Sequence, residues 1–263
     1  MTRIQRFLRR FADRDWHLHD SHSHDGQGLP VDFARIARMR GLVSIGFSNH
    51  IETLEPSTGR FSVKIPRDLE RLQRARLVVE AARKEFPDLE IRMGVEVENN
   101  PRCYGVMEEI FDDVPFDYVI GSIHLVDGIP ITSPGCIPFL KKHSPAEMYQ
   151  KYYREMADFM EWGRFDILGH ADIIRRYMVE VYPGFRPVIP YDILRNIFTL
   201  MRSRGQGIEI NTGGLFQAPR DTYPTEEIVE IAMDCGVERF SFGSDAHRPE
   251  DTGQGFEMFR KED

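Results

Sequence analysis

Short β-branched or apolar runs alternate along the chain with longer segments in which apolar residues recur every three or four positions, and the alternation repeats seven times. The runs predict strands at 17–20, 43–47, 89–95, 118–123, 166–168, 207–210 and 239–243. Helical stripes lie between them. Pro66 opens one whose Leu69, Leu72, Ala75, Val79, Ala82 and Phe86 share a face, and it ends before Pro87. Ser144-Pro145-Ala146-Glu147 has capping-box spacing ahead of Met148, Tyr152, Met156 and Phe159, with Gly163 as the stop. Leu194, Ile197, Phe198 and Met201 precede Gly205, and Ile228, Ala232 and Cys235 precede Gly236.

Strict βα alternation demands a mostly parallel sheet with helices outside it, either closed into a barrel or open and doubly wound. A doubly wound nucleotide fold needs a Gly-rich turn after its first strand, where this chain carries His22 and His24, and no phosphate-binding loop motif occurs elsewhere. The expectation is a single barrel domain over residues 16–263. Residues 1–15 form a basic amphipathic segment whose Ile4, Phe7, Leu8 and Phe11 share one helical face, expected to pack on the barrel floor.

At 263 residues the chain is long enough for a full core, with roughly 12,000 Å² left exposed on folding. The net charge of −8 argues against binding long nucleic acid or an anionic membrane. No apolar run reaches the roughly 18 residues of a spanning helix. The basic N-terminus lacks the apolar stretch of a secretory signal, and Cys103, Cys136 and Cys235 offer neither an even framework nor Cys-x-x-Cys spacing. A reducing cytoplasm is the expected location.

In a parallel barrel the C-terminal strand ends open on one face, where side chains distant in sequence converge. His22, His24, His50, His124, His170 and His247 fall at such ends, with Glu96 after the third strand and Asp245 after the seventh. Period two puts His22 and His24 on one face with Asp20, and directs His17 and His19 to the opposite face, towards the helices. His143 reads as a structural loop residue. Nitrogen and carboxylate donors without thiolate suit zinc, iron or manganese, and a carboxylate can bridge two ions. Glu98 and Asp172 could each take an ion or orient a ligand histidine.

These residues resemble the polymerase and histidinol phosphatase (PHP) superfamily, whose signature runs D-x-H-x-H, H, G-x-E, G-S-x-H, H and D-x-H. The histidinol-phosphatase branch is further resembled in FDYVIGSIHLVDG, FDILGHADIIRR, IEINTGGL and VERFSFGSDAHRPEDTGQGF, and the likeness spans about residues 16–256. It implies an α/β fold, a distorted seven-stranded (β/α)7 barrel with two or three divalent ions. In the family pattern His22, His24, Glu96 and Asp245 hold one ion, Glu96 bridges to a second on His124 and His170, and His50 and His247 hold a third. The third ion usually has a further ligand in the loop after the first motif, where this chain offers Asp25. Two departures stand out: Asn49 where the family more often has Asp, and Phe216 where the branch often has a basic residue.

The resemblance implies a metal-dependent phosphomonoesterase, with L-histidinol phosphate in histidine biosynthesis as the leading substrate. A metal-held hydroxide, on the ion of His22, His24, Glu96 and Asp245, would attack phosphorus while the ions stabilise the leaving alkoxide. Arg175, Arg176, Arg220 and Arg248 follow strand ends and, with Asn211, are candidates for holding the phosphate or the substrate. The alternatives are a PHP phosphoesterase for a nucleotide or short oligonucleotide and a non-catalytic metal-binding barrel.

Overall fold

A computed structural model describes residues 2–51, 53 and 65–260. Its strands are β1 (Arg14–Leu18), β2 (Ser44–Phe47), β3 (Glu90–Glu98), β4 (Tyr118–Ser122), β5 (Leu125–Val126), β6 (Ile129–Pro130), β7 (Ile167–Leu168), β8 (Gly207–Asn211) and β9 (Phe240–Gly243). Seven of them form one parallel sheet in the order β1-β2-β3-β4-β7-β8-β9, each paired with its neighbour in sequence. A parallel bridge from Leu18 to Ala246 and the bond from His19 N–H to the Ala246 carbonyl bring the two edges together. The barrel is therefore nearly closed, the first of the two arrangements that the alternation allows.

The helices are α1 (Arg3–Leu8), α2 (Pro30–Met39), α3 (Ile65–Glu85), α4 (Tyr104–Asp113), α5 (Ile137–Leu140), α6 (Pro145–Trp162), α7 (Arg175–Val181), α8 (Tyr191–Arg204), α9 (Glu226–Asp234) and α10 (Glu257–Arg260). Helix α6 starts where its sequence says it should: the Ser144 hydroxyl accepts from Glu147 N–H and the Glu147 carboxylate accepts from Ser144 N–H. It stops at Gly163, whose φ of 57° is a conformation that costs a side-chain-bearing residue far more than glycine. The predicted stripes are the buried ones, Leu72, Ala75, Val79 and Ala82 in α3 and Leu194, Ile197, Phe198 and Met201 in α8. Helix α1 buries Ile4 and Leu8, and Phe7 and Phe11 pack against Phe240 at the start of β9. The amphipathic N-terminal segment thus covers the N-terminal end of the barrel.

Two features depart from the sequence expectation. Strand β1 runs over Arg14–Leu18, three residues earlier than predicted, so Asp20 to Asp25 form a loop. After β4 the chain makes a small antiparallel hairpin, β5–β6, with Asp127 and Gly128 at its turn in positive φ. Lys151 and Glu155 of α6 fix this hairpin, through Asp127 Oδ2 at 2.6 Å and Asp127 N–H at 3.0 Å.

Asp15 pins the β1–β9 seam. Its Oδ1 accepts Ser244 N–H at 2.9 Å, and its Oδ2 accepts the Ser244 hydroxyl and Gly253 N–H, both at 2.6 Å. Complete burial still pushes its carboxyl up to about 6, against the pull of those donors. His17 N–H adds a longer bond to Oδ1 at 3.4 Å, so removing Asp15 leaves four donors without this acceptor, and Asp15→Ala is expected to lower the unfolding free energy by about 3 kcal/mol in urea titration. A midpoint equal to that of the wild type would show that the seam is held elsewhere.

Candidate metal centre

At the C-terminal strand ends five imidazoles surround one carboxylate. Glu96, near the end of β3 and 1% exposed, has its Oε1 3.0 Å from His170 Nε2 and 3.4 Å from His124 Nε2. Its Oε2 lies 2.9 Å from His50 Nδ1, 3.3 Å from His17 Nε2 and 3.6 Å from His19 Nε2. Ser122 at the end of β4 donates to Oε1 at 2.5 Å. His19 stacks between His50 and His247, with ring centroids 4.3 and 4.4 Å away. Asp245, in the left-handed region at φ 55°, turns its Oδ1 to within 3.4 Å of His19 Nε2 and 3.7 Å of His17 Nε2.

The first pair of histidines is therefore not the one expected. His17 and His19, read from the sequence as facing the helices, are fully buried in the cluster, because β1 ends at Leu18 and its inward face carries residues 15, 17 and 19. His22 sits in the following loop with its Nδ1 2.8 Å from Asp20 Oδ1, and it does not line the cavity. His24 stands at the cavity rim, its side chain 44% exposed and its Nδ1 3.6 Å from Asp25 Oδ1.

The loop is tightly organised. Asp20 Oδ1 accepts His22 N–H and an Asn49 amide N–H, while Asn49 Oδ1 accepts Asp20 N–H and the Ser23 hydroxyl. An aspartate at 49 would offer no donor and would set two carboxylates together, so Asn49 fits this loop better than the residue more usual in the family. Ser23 Oγ accepts His50 N–H at 3.1 Å, and Arg71 of α3 donates to the backbone carbonyls of His22 and His50. Together they carry Asp25 to the site, where its Oδ2 lies 3.1 Å from His247 Nε2.

Three overlapping groups of donor atoms, each within 4.8 Å, could hold an ion among the described residues: His17, His19 and Glu96; Glu96, His124 and His170; and His19, His50 and His247. The buried His17 Nε2, His19 Nε2 and Glu96 Oε2 converge yet have no hydrogen-bond partner. Buried polar atoms are rarely left so, and cations among them would satisfy all three. Electrostatics agree with that fit. Although burial opposes the imidazolium, Glu209, Glu96 and Asp245 hold the His17 pKa well above its usual value, Glu96 lifts His124 to about 10, and Asp25 and Asp245 lift His247 to about 9. Burial opposes ionisation of Glu96 too, but His17, His50 and His124 hold its carboxyl well below the usual range. His19 goes the other way, lowered to about 3 by burial and by His50 and His247, which keeps its ring neutral, the form that can offer a lone pair to a cation. The site favours added positive charge, and its nitrogen and oxygen donors suit zinc, iron or manganese.

The cavity over this cluster measures about 320 Å³ and is also lined by Ile51, Thr53, Glu98, Pro130, Thr132, Ser133, Ile173 and Arg176. Of the predicted phosphate and substrate residues, Arg176 alone is there. Arg175 is buried away from it, its Nε 2.8 Å from Asp172 Oδ2, its Nη1 3.1 Å from Asp221 Oδ2, and its Nη2 donating to the Thr222 carbonyl. Asp172 also accepts Thr225 N–H and does not line the cavity, so this pair ties the β7 loop to the segment before α9. Asn211 spends its amide on Glu209 and Gly213, and Arg220 and Arg248 are exposed outside the cavity. Phe216, half-exposed, is also outside it, so that departure from the branch does not touch the cluster. Glu98 lines the wall with Oε2 3.7 Å from His124 Nδ1.

Two buried acids of this region, Asp15 and Glu209, lie outside the residues that the sequence singles out. Glu209 had a signal. In the run Gly207-Ile208-Glu209-Ile210-Asn211 a charge alternates with isoleucines inside a central strand, where only a partnered carboxylate is tolerated.

Among proteins of known sequence, the chain is 26% identical over 243 residues to a Deinococcus radiodurans protein named "Probable histidinol-phosphatase", covering 92% of this chain and 89% of the relative. It is also 26% identical over 235 residues to the histidinol-phosphatase of Lactococcus lactis, covering 89% and 83%. The crystal structure of the L. lactis histidinol phosphate phosphatase with zinc, L-histidinol and phosphate superposes with a TM-score of 0.73 at 21% identity, covering 94% of this chain and 92% of that one. The likeness confirms the barrel fold. The PHP domain model matches residues 15–213, well over half of the sequence, and the chain belongs to the PHP domain family.

Proposed function

We propose that the chain is a metal-dependent phosphomonoesterase that hydrolyses L-histidinol phosphate to L-histidinol and phosphate in histidine biosynthesis. The observation that carries the reaction class is the convergence of unpartnered buried imidazole nitrogens and a Glu96 oxygen beneath a small cavity. The substrate rests on the relatives, which bear that name over most of their length.

In this reading His17, His19, Glu96 and Asp245 hold one ion, Glu96 with His124 and His170 a second, and His50 and His247, with Asp25 beside them, a third. Such ions polarise phosphoryl oxygens, activate water near neutral pH and stabilise a leaving alkoxide. The chain supplies the rest. Arg176, the one Lys or Arg among the described residues lining the cavity, binds the phosphate. Ile51, Pro130 and Ile173 give the cavity an apolar wall, while Glu98, Thr132 and Ser133 provide polar partners for the amine and ring. A volume of about 320 Å³ suits a small ester rather than a polymer.

The described segment ahead of β1 acts as a structural cover, and the barrel that begins at Arg14 acts as the catalytic unit, so the boundary falls one or two residues before the position expected from the sequence. None of the described helices is long and apolar enough to cross a membrane, and the three free cysteines support a reducing, cytoplasmic setting.

Phosphate release should be measured for metal-quantified protein on L-histidinol phosphate, a nucleoside monophosphate and an aryl phosphate. L-Histidinol phosphate is expected to lead by at least about tenfold in kcat/KM, since its amine and ring meet polar groups that the other esters leave unpaired. Stripping the metal should abolish release and adding zinc or manganese restore it. Turnover of the other esters alone would keep the phosphatase and discard the substrate, and no turnover of any ester would discard both.

A further inference from the structure

Beneath the cluster, Glu209 of β8 is 1% exposed and accepts three N–H groups on two oxygens. His17 Nδ1 lies 2.6 Å from its Oε1, and Oε2 takes His170 N–H at 2.8 Å and the Asn211 amide at 3.2 Å. No Lys or Arg reaches it among the described ion pairs, so its charge is answered by these donors. The chain also makes room for it. A Cβ on Gly243 would stand 2.0 Å from Glu209 Oε1 and 2.4 Å from His17 Cβ, so only glycine lets the carboxylate reach the ring.

We propose that Glu209 is a positioning residue that sets two histidines of the cluster at once, fixing the His17 ring with its Nε2 lone pair towards Glu96 and Asp245 and holding the His170 backbone. The inference rests on the metal reading given above. An imidazole can offer Nε2 to a cation only if its proton resides on Nδ1, and a carboxylate accepting that proton selects the tautomer and strengthens the donor. His17 Nε2 is the unpartnered atom that this choice leaves facing Glu96 and Asp245. His170 has a φ of 22°, outside the regions favoured for a side-chain-bearing residue, and Glu209 Oε2 holds its N–H there. One side chain from β8 thus couples a ligand from β1 to one that follows β7.

Glu209→Gln is the test, since it keeps the volume but cannot satisfy the same donors. If its carbonyl faces His17, its NH₂ confronts His170 N–H; if it turns over, the NH₂ confronts His17 Nδ1 and drives the proton to Nε2. Zinc affinity of the full chain is read by chelator competition, with circular dichroism and thermal unfolding to establish the folded state. One class of zinc is expected to bind roughly 10–100-fold more weakly in the variant, as for loss of an outer hydrogen-bond partner of a ligand histidine. Protein labelled with ¹⁵N-histidine should show His17 protonated at Nδ1 in the wild type and altered in the variant.

A folded variant with wild-type zinc affinity and an unchanged His17 tautomer would overturn the proposal, whatever its melting temperature. If Glu209→Gln does not fold, Glu209→Asp carries the same readout, because it keeps the charge but withdraws it by one methylene from His17. Wild-type protein that binds neither zinc nor iron nor manganese would instead overturn the metal reading.

Discussion

Replacing His17 by alanine is expected to cut phosphate release by more than about 100-fold and to lower the zinc content, while replacing His22 leaves both within a few-fold of wild type. The contrast follows from where the two rings lie. His17 is fully buried, joined to Glu209 at 2.6 Å, and its other nitrogen faces Glu96 at 3.3 Å with no hydrogen-bond partner. Its loss removes a donor from the centre and leaves Glu209 a buried carboxylate short of a partner. His22 closes a hydrogen bond onto Asp20 in its own loop, and the Asp20 carboxylate keeps the His22 backbone N–H and the Asn49 amide when the ring is gone. The cost there is about 1 kcal/mol of stability. The measurement is phosphate release beside metal analysis on folded variants. The reverse ranking, with His22→Ala inactive and His17→Ala active, would return the first ion to the loop.

The reason the sequence misplaces this pair is instructive. Two consecutive stretches satisfy D-x-H-x-H, Asp15-Trp16-His17-Leu18-His19 and Asp20-Ser21-His22-Ser23-His24, five residues apart. Spacing alone cannot choose between them. Composition can: the first interleaves Trp16 and Leu18 with its histidines and alternates as a half-buried strand does, while the second interleaves serines and runs into Asp25-Gly26, which is turn chemistry. A strand started three residues late reverses the inward face, and every inference from period two reverses with it.

Strand ends elsewhere were more legible. The histidines at 50, 124, 170 and 247 each follow a short apolar strand flanked by helical stripes, so their convergence is a consequence of barrel topology alone. The arginines were not legible, because following a strand end fixes a residue's level in the barrel but not the direction of a long side chain. Arg175 and Arg176 are adjacent, yet one turns onto the buried Asp172 and the half-exposed Asp221 and the other into the cavity. The hairpin β5–β6 has no legible strand pattern because two-residue strands carry too little period to register, though Asp127-Gly128 marks its turn.

That adjacency makes the second large effect separable. Arg176→Ala is expected to lower kcat/KM for L-histidinol phosphate by about 10–100-fold, the worth of a charge-assisted contact of roughly 1.5–3 kcal/mol, with the melting temperature unchanged. Arg175→Ala should do the opposite. It leaves Asp172, 1% exposed, without its cation and frees Asp221 and the Thr222 carbonyl, and breaking one side of such a buried pair costs about 3–5 kcal/mol of folding stability. What activity remains in the folded fraction should keep the wild-type KM. Arg176→Lys provides the finer reading, since a point charge without the planar fork should recover part of the affinity for phosphate but not its orientation. The decisive observation is product inhibition by inorganic phosphate. It should weaken in Arg176→Ala and persist in Arg175→Ala, and equal inhibition of both variants would remove Arg176 from the phosphate site and leave the anion to the metal cluster alone.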